Sequence, residues 1–161
     1  MTKIKHAARL VLPLLMSGLA SAQTATTVSQ TINFGPVGLG ATETAQITVF
    51  NSAPASSAGA AASCTGSIAF ENTSGTTIGS ATPFTLGTGQ VASATLPYSS
   101  AGASGRAVTV GVVTLTRSTA SPVAPCILRS MLETYDASGT THVHLSGNEV
   151  AVPVRVGFGG R

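Results

Sequence analysis

The chain has 161 residues, 43% of them hydrophobic and only 8% charged, with two cysteines, two tyrosines and no tryptophan. Its formal charge of +3 comes from the N-terminal stretch, because beyond residue 22 Arg106, Arg117, Arg129, Arg155 and Arg161 balance Glu43, Glu71, Glu133, Asp136 and Glu149, and no lysine remains. Such a balance leaves no electrostatic footprint for nucleic acid or anionic lipid, and the scarcity of helix-forming Leu, Glu and Lys argues against a helical protein.

The first elements read as an export signal. Lys3, Lys5 and Arg9 precede the apolar run Leu10 to Ala20, which is too short to span a bilayer. Ala20-Ser21-Ala22 then gives the small-residue cleavage pattern, so a signal peptide over 1–22 is expected, cut between Ala22 and Gln23. No cysteine follows to carry a lipid anchor, so no membrane insertion is expected after cleavage. Residues 23–161 are of a size for a single domain with its own core.

The mature part opens with the β-prone polar stretch Thr24 to Thr31. Ile32 to Asn51 follows as two short strands around a turn rich in glycine, the second with Ile47 and Val49 alternating against Gln46 and Thr48. Asn51 to Ser63 has no bulky side chain to bury and reads as a surface loop. Cys64 to Glu71 is a strand with Cys64, Gly66, Ile68 and Phe70 in one phase, and Asn72 to Gly75 is a turn. Thr82 to Leu86 and Val91 to Leu96 flank the tight turn Gly87 to Gln90. In Arg106 to Arg117, Val108, Val110 and Val112 share one face while Val113 and Leu115 fall on the other, and the switch beside Gly111 predicts a bulge or a central strand covered on both sides. Cys126 to Tyr135 alternates Cys126, Leu128 and Leu132 against Ile127, Arg129, Met131, Glu133 and Tyr135. A strand is favoured over a helical turn there. Asp136 to Gly139 is a hairpin turn into Thr140 to Leu145, and Val150, Val152, Val154 and Val156 form a last alternating strand, with Pro153 in the opposite phase marking an edge.

About eight or nine short strands with turns between them predict an all-β, antiparallel β-sandwich with Greek-key-like connections, a closed barrel being the alternative. Export places Cys64 and Cys126 in an oxidising compartment, where two cysteines allow one disulfide. Closing a loop of about 60 residues is worth roughly 4 kcal/mol in the chain-entropy treatment. A thiol metal site or a reactive nucleophile is the competing use, and the pair lacks the C-x-x-C spacing that would favour it.

The segment INFGPVGLGATETAQITVFN resembles the opening of immunoglobulin-like modules of secreted bacterial proteins, of the ASH/MSP-like type, through Phe34, Gly35, Val37, Gly40, Ile47, Val49 and Asn51. The later chain departs from that type and is similar to a looser group of uncharacterised exported bacterial β-sandwich domains. The matching features are Cys64 before a strand ending in Phe70, Phe84 to Gln90, the valine-rich strand after Arg106, and Cys126 before Leu132 to Asp136 and Gly139. The resemblance implies an immunoglobulin-like sandwich with the disulfide, and no activity.

Few residues offer chemistry. His142 and His144, spaced H-x-H on a strand, share a face and can start a metal site; Met131 on the neighbouring strand would complete a copper-type set, and Glu133 or Asp136 a zinc-type set. The competing reading is two surface histidines with Val143 pointing inward. Glu133 and Asp136 are conceivable paired carboxylates for glycoside chemistry, but Asp136 sits where an Asp ordinarily starts a turn. No G-x-S-x-G, phosphate-binding or dinucleotide motif occurs, and sparse aromatics argue against sugar stacking. The expectation is therefore a non-enzymatic, exported structural or interaction module of the bacterial cell envelope or secreted fraction (periplasmic, cell-surface or extracellular), with an unknown protein or envelope partner and no cofactor. The alternative is a periplasmic copper or zinc binder built on His142 and His144.

Overall fold

A computed structural model describes residues 27–55, 63–118, 126–147 and 150–152. The signal segment, its cleavage site at Ala22 and Gln23, and Pro153, Val154 and Val156 lie outside the described residues. The described chain is an antiparallel β-sandwich of ten strand segments: β1 (Thr27–Asn33), β2 (Val37–Leu39), β3 (Thr44–Asn51), β4 (Ser63–Glu71), β5 (Thr82–Gly87), β6 (Val91–Pro97), β7 (Ala107–Ser118), β8 (Cys126–Tyr135), β9 (Thr141–Ser146) and β10 (Val150–Val152). One sheet runs β1-β7-β4-β5 and the other β10-β8-β3-β6. β2 lies beyond β1 along β7, and β9 lies beside β10 along β8. Ten segments therefore fill eight positions, four to a sheet.

The pairings hold a hidden exchange. Swapping β2 with β6, β3 with β7, β4 with β8 and β5 with β9 turns the pairs β2–β7, β7–β4 and β4–β5 into β6–β3, β3–β8 and β8–β9, which is the other sheet. The disulfide between Cys64 and Cys126, with Cα atoms 5.1 Å apart, joins the roots of the exchanged strands β4 and β8 across the sandwich. Both sulfurs lie in the core.

Alternation builds that core. Ile47 and Val49 of β3, Ile68 and Phe70 of β4, and Leu128 and Leu132 of β8 all point inward and are buried. Each such side chain contributes about 1.5–3 kcal/mol through removal from water. The even residues of β8 are buried from Cys126 to Thr134, as a strand requires and a helix would not give.

β7 decides between the two alternatives its sequence leaves open, in favour of the central strand. It is a central strand, paired with β4 without a register break. Its core face is Ala107, Thr109, Gly111, Val113 and Leu115, so the phase does not switch. Val108, Val110 and Val112 are on the outer face, from 42% exposed at Val108 to 7% at Val112. Gly111 keeps the core phase because a Cβ there would press on Ile47 Cδ1 at 2.8 Å and Phe34 Cδ2 at 3.1 Å. Thr109 tolerates burial by donating its hydroxyl to the Glu71 carbonyl at 3.0 Å. The irregularity lies in the neighbouring edge: Asn33 pairs with Val112 but Val37 with Thr109, one residue more on the edge than on β7. Phe34 to Pro36 is this bulge, and it separates β1 from β2 along the same edge of β7.

Asn51 is not the start of a surface loop. It ends β3 fully buried, donates Nδ2 to the Leu86 carbonyl (3.0 Å) and accepts from the N–H of Ala53 (3.1 Å) and Ile127 (3.4 Å) at Oδ1. One amide thus ties β3 to β5 and β8.

Candidate functional site

The disulfide occupies one end of the sandwich; at the other end three connections meet. The first is the turn from β2 to β3. Glu43 N–H bonds to the Gly40 carbonyl at 3.0 Å, and Glu43 Oε2 accepts the Gly40 N–H at 2.6 Å, so this carboxylate closes its own turn. The second, from β6 to β7, starts with a short 3-10 turn, Tyr98–Ser100. Tyr98 N–H donates to the Glu43 carbonyl at 3.0 Å, and its hydroxyl reaches the Gly105 and Ala103 carbonyls, fastening the loop down to Arg106. The third is the hairpin turn from β8 to β9. There Asp136 Oδ1 accepts from the Ser138 hydroxyl (2.6 Å), the Ser138 N–H (2.8 Å) and the Thr140 N–H (3.1 Å).

His142 spans the first and third of these turns. The β8–β9 register shifts between Thr134 and Tyr135, and the extra residue on β9 is His142. Freed from a cross-strand partner, its ring lies between two carboxylates, with Nε2 3.1 Å from Asp136 Oδ2 and Nδ1 3.8 Å from Glu43 Oε1. Each carboxylate spends one oxygen on its own turn and turns the other toward the ring. Hydrogen bonds from the Ser138 hydroxyl, then from His142 and the Thr140 N–H, hold the Asp136 carboxyl well below the usual carboxylate range. With Asp136 ionised, His142 Nε2 carries the proton of that bond; a second proton at Nδ1 would put a cation between two anions.

These groups line one cleft of about 670 Å³, together with Gly40, Tyr98, Ser104 and Arg106. Arg106 lies over Gly38 of β2, where a Cβ would run into its Nε. Gly38 is thus a seat for the guanidinium.

The residues singled out from sequence are only partly brought together. His144 is opposite Glu133, and Met131 is opposite Ser146, along the β8–β9 ladder. The bulge takes His142 out of that ladder and away from the simple H-x-H geometry. Its two carboxylates address opposite ring nitrogens rather than converging on one point, and among the described residues no group of three His, Cys, Asp or Glu side chains could hold a metal ion. The cleft pairs Asp136 with a histidine but leaves out Glu133. Glu43, Tyr98 and Arg106 were not singled out from sequence. The twin phrase Asn72-x-Ser-Gly-Thr and Asp136-x-Ser-Gly-Thr marks both hairpins of this end but signals none of those three residues.

Fold and disulfide define the class: a β-sandwich whose two sheets are cross-linked, of the kind built in an oxidising compartment. Among the described residues no helix is long and apolar enough to cross a membrane. No protein-family model matches the chain, and neither does any curated protein or solved structure.

Proposed function

We propose that the protein is a non-enzymatic, exported structural or interaction module of the bacterial cell envelope or secreted fraction, an immunoglobulin-like domain that presents loops from a cross-linked scaffold. The observation that carries this reading is the construction of the loop end. Three connections from both sheets are fastened to one another by backbone bonds and by His142, opposite a disulfide that ties the sheets. Loops set on a rigid framework are where binding concentrates. Two sheet edges, β1 and β10, add a place where an extended partner segment could pair.

Fractionating cells that make the full chain tests the reading. The expected product lies outside the cytoplasm, begins at Gln23 and has no free thiol. A full-length, reduced chain retained in the cytoplasm would overturn it.

A further inference from the structure

We propose that the cleft at the loop end binds a zwitterionic group, the carboxylate-and-ammonium pair of an amino acid or of a short peptide. The inference names a ligand chemistry for the interaction module and rests on that reading.

Arg106 is the first reason. Its guanidinium is exposed, laid over Gly38 and facing the cleft, and among the described residues it makes no hydrogen bond or ion pair. A guanidinium presents a planar fork of N–H donors that matches a carboxylate with two parallel bonds. Glu43 is the second. Its Oε2 is used by the Gly40 N–H, but Oε1 stands 3.8 Å from His142 Nδ1, beyond hydrogen-bond range. That oxygen keeps its capacity to accept from a donor in the cleft.

The charges then select the ligand. A simple anion reaching Arg106 meets the field of Glu43 and Asp136. A simple cation reaching Glu43 meets Arg106 and, when protonated, His142. A molecule that carries both charges answers both sides at once, its carboxylate on Arg106 and its ammonium on Glu43 Oε1. The cleft, at about 670 Å³, is in the size range of small-molecule sites. Its walls are fixed before binding: Glu43 by Gly40, Asp136 by Ser138 and Thr140, and the Tyr98 loop by the Glu43 carbonyl. Little ordering is left to be done by the ligand.

The test is a titration of the isotope-labelled, disulfide-bonded protein, as recovered from cells expressing the full chain, followed by amide shifts. The probes are alanine, the dipeptide alanyl-alanine, propionate (no ammonium) and ethylamine (no carboxylate). Saturable shifts confined to residues 40–43, 104–106 and 136–142 are expected with alanine or the dipeptide. Propionate and ethylamine should bind about tenfold more weakly or worse, since each lacks one charge-assisted contact. Arg106→Gln and Glu43→Gln should each weaken the zwitterion by a similar factor, and in the second variant the new amide oxygen can still accept the Gly40 N–H. Tighter binding of the dipeptide assigns the source to a peptide, and tighter binding of alanine to a free amino acid. No saturable shift with either zwitterion, or propionate or ethylamine binding as well as alanine, would overturn the proposal. A variant that loses its dispersed spectrum leaves the decision to the ligand series on the native protein. Export and thiol status are read in a separate assay, so the cleft can fail while the module reading stands, and the reverse.

Discussion

The turn after β4 reads Asn72-Thr73-Ser74-Gly75-Thr76, and the turn after β8 reads Asp136-Ala137-Ser138-Gly139-Thr140. They make the same bonds. Asn72 Oδ1 accepts from the Ser74 N–H, the Ser74 hydroxyl and the Thr76 N–H, as Asp136 Oδ1 does from Ser138 and Thr140. In both, the first residue's N–H meets the Thr carbonyl and its own carbonyl receives the Gly N–H. Both glycines have positive φ, 77° at Gly75 and 82° at Gly139. The two turns follow strands related by the exchange that relates the sheets. What differs is the second side-chain atom, a neutral amide in one and a carboxylate oxygen in the other, and only the carboxylate recruits a histidine. The comparison separates what the turn needs from what the cleft needs.

If the two hairpins are equivalent arms tied at one root, cutting the tie has the largest effect. Replacing Cys64 and Cys126 by serine should lower stability by about 4 kcal/mol, since the bridge closes 62 residues. Urea unfolding of the oxidised protein and of the double variant measures it, and a loss under about 1 kcal/mol would mean that core packing alone sets the relation of the sheets. Next comes a feature of β3 that marks a departure from equivalence, the buried Asn51. Asn51→Ala removes a donor and an acceptor that serve Leu86, Ala53 and Ile127, and should cost about 3 kcal/mol by leaving those groups unpaired. Smaller again is the conformational demand of the turns. Gly75→Ala and Gly139→Ala each place a Cβ in the left-handed region and should cost about 1–2 kcal/mol apiece. The two losses should match; a clear inequality in the same unfolding assay would show that the arms are not equivalent.

Much of the fold was legible because alternation and burial coincide in β3, β4 and β8, where the inward positions carry Ile47, Ile68 and Leu128 and most of the outward ones are polar. Two cysteines allowed one bridge. β7 left a bulge and a central strand both open for a physical reason: its core face carries Thr109 and Gly111, and its outer face valines, so hydrophobicity alone does not fix the phase where a hydroxyl has a partner and a glycine yields space to Phe34 and Ile47. Asn51 read as a loop start because its bonds reach residues 35 and 76 positions away. The cleft was less legible still. Its members come from three connections distant in sequence, and His142 enters through a bulge, which shifts register without changing residue type. The histidine and the aspartate were visible as candidates; their partnership required the turn geometry.

The smallest effect separates the turns most finely, because it depends on pH. The Asp136 carboxyl is held below its ordinary value of 3.8, with the Ser138 hydroxyl the first cause and His142 the second. A carboxyl that binds its proton less readily folded than unfolded stabilises the fold above that ordinary value, and the contribution is lost as pH falls below it. Asp136→Asn keeps an Oδ1 acceptor for Ser138 and Thr140, as Asn72 shows an amide can, and gives up the carboxylate facing His142. The variant should therefore fold with the same turn and be slightly less stable than the native protein at neutral pH, and the gap should begin to narrow as pH falls below 3.8. The reverse exchange, Asn72→Asp, places a carboxylate against the Ser74 hydroxyl in the twin geometry, on the hairpin whose partner strand carries no histidine. Because the serine is the leading cause at Asp136, Asn72→Asp should gain a pH dependence of the same sign without any histidine. Urea midpoints of the native protein and both variants at neutral pH and at pH 3 measure this. Should Asn72→Asp show no pH-dependent gain, the turn itself does not set the acidity, and His142 carries the difference between the arms.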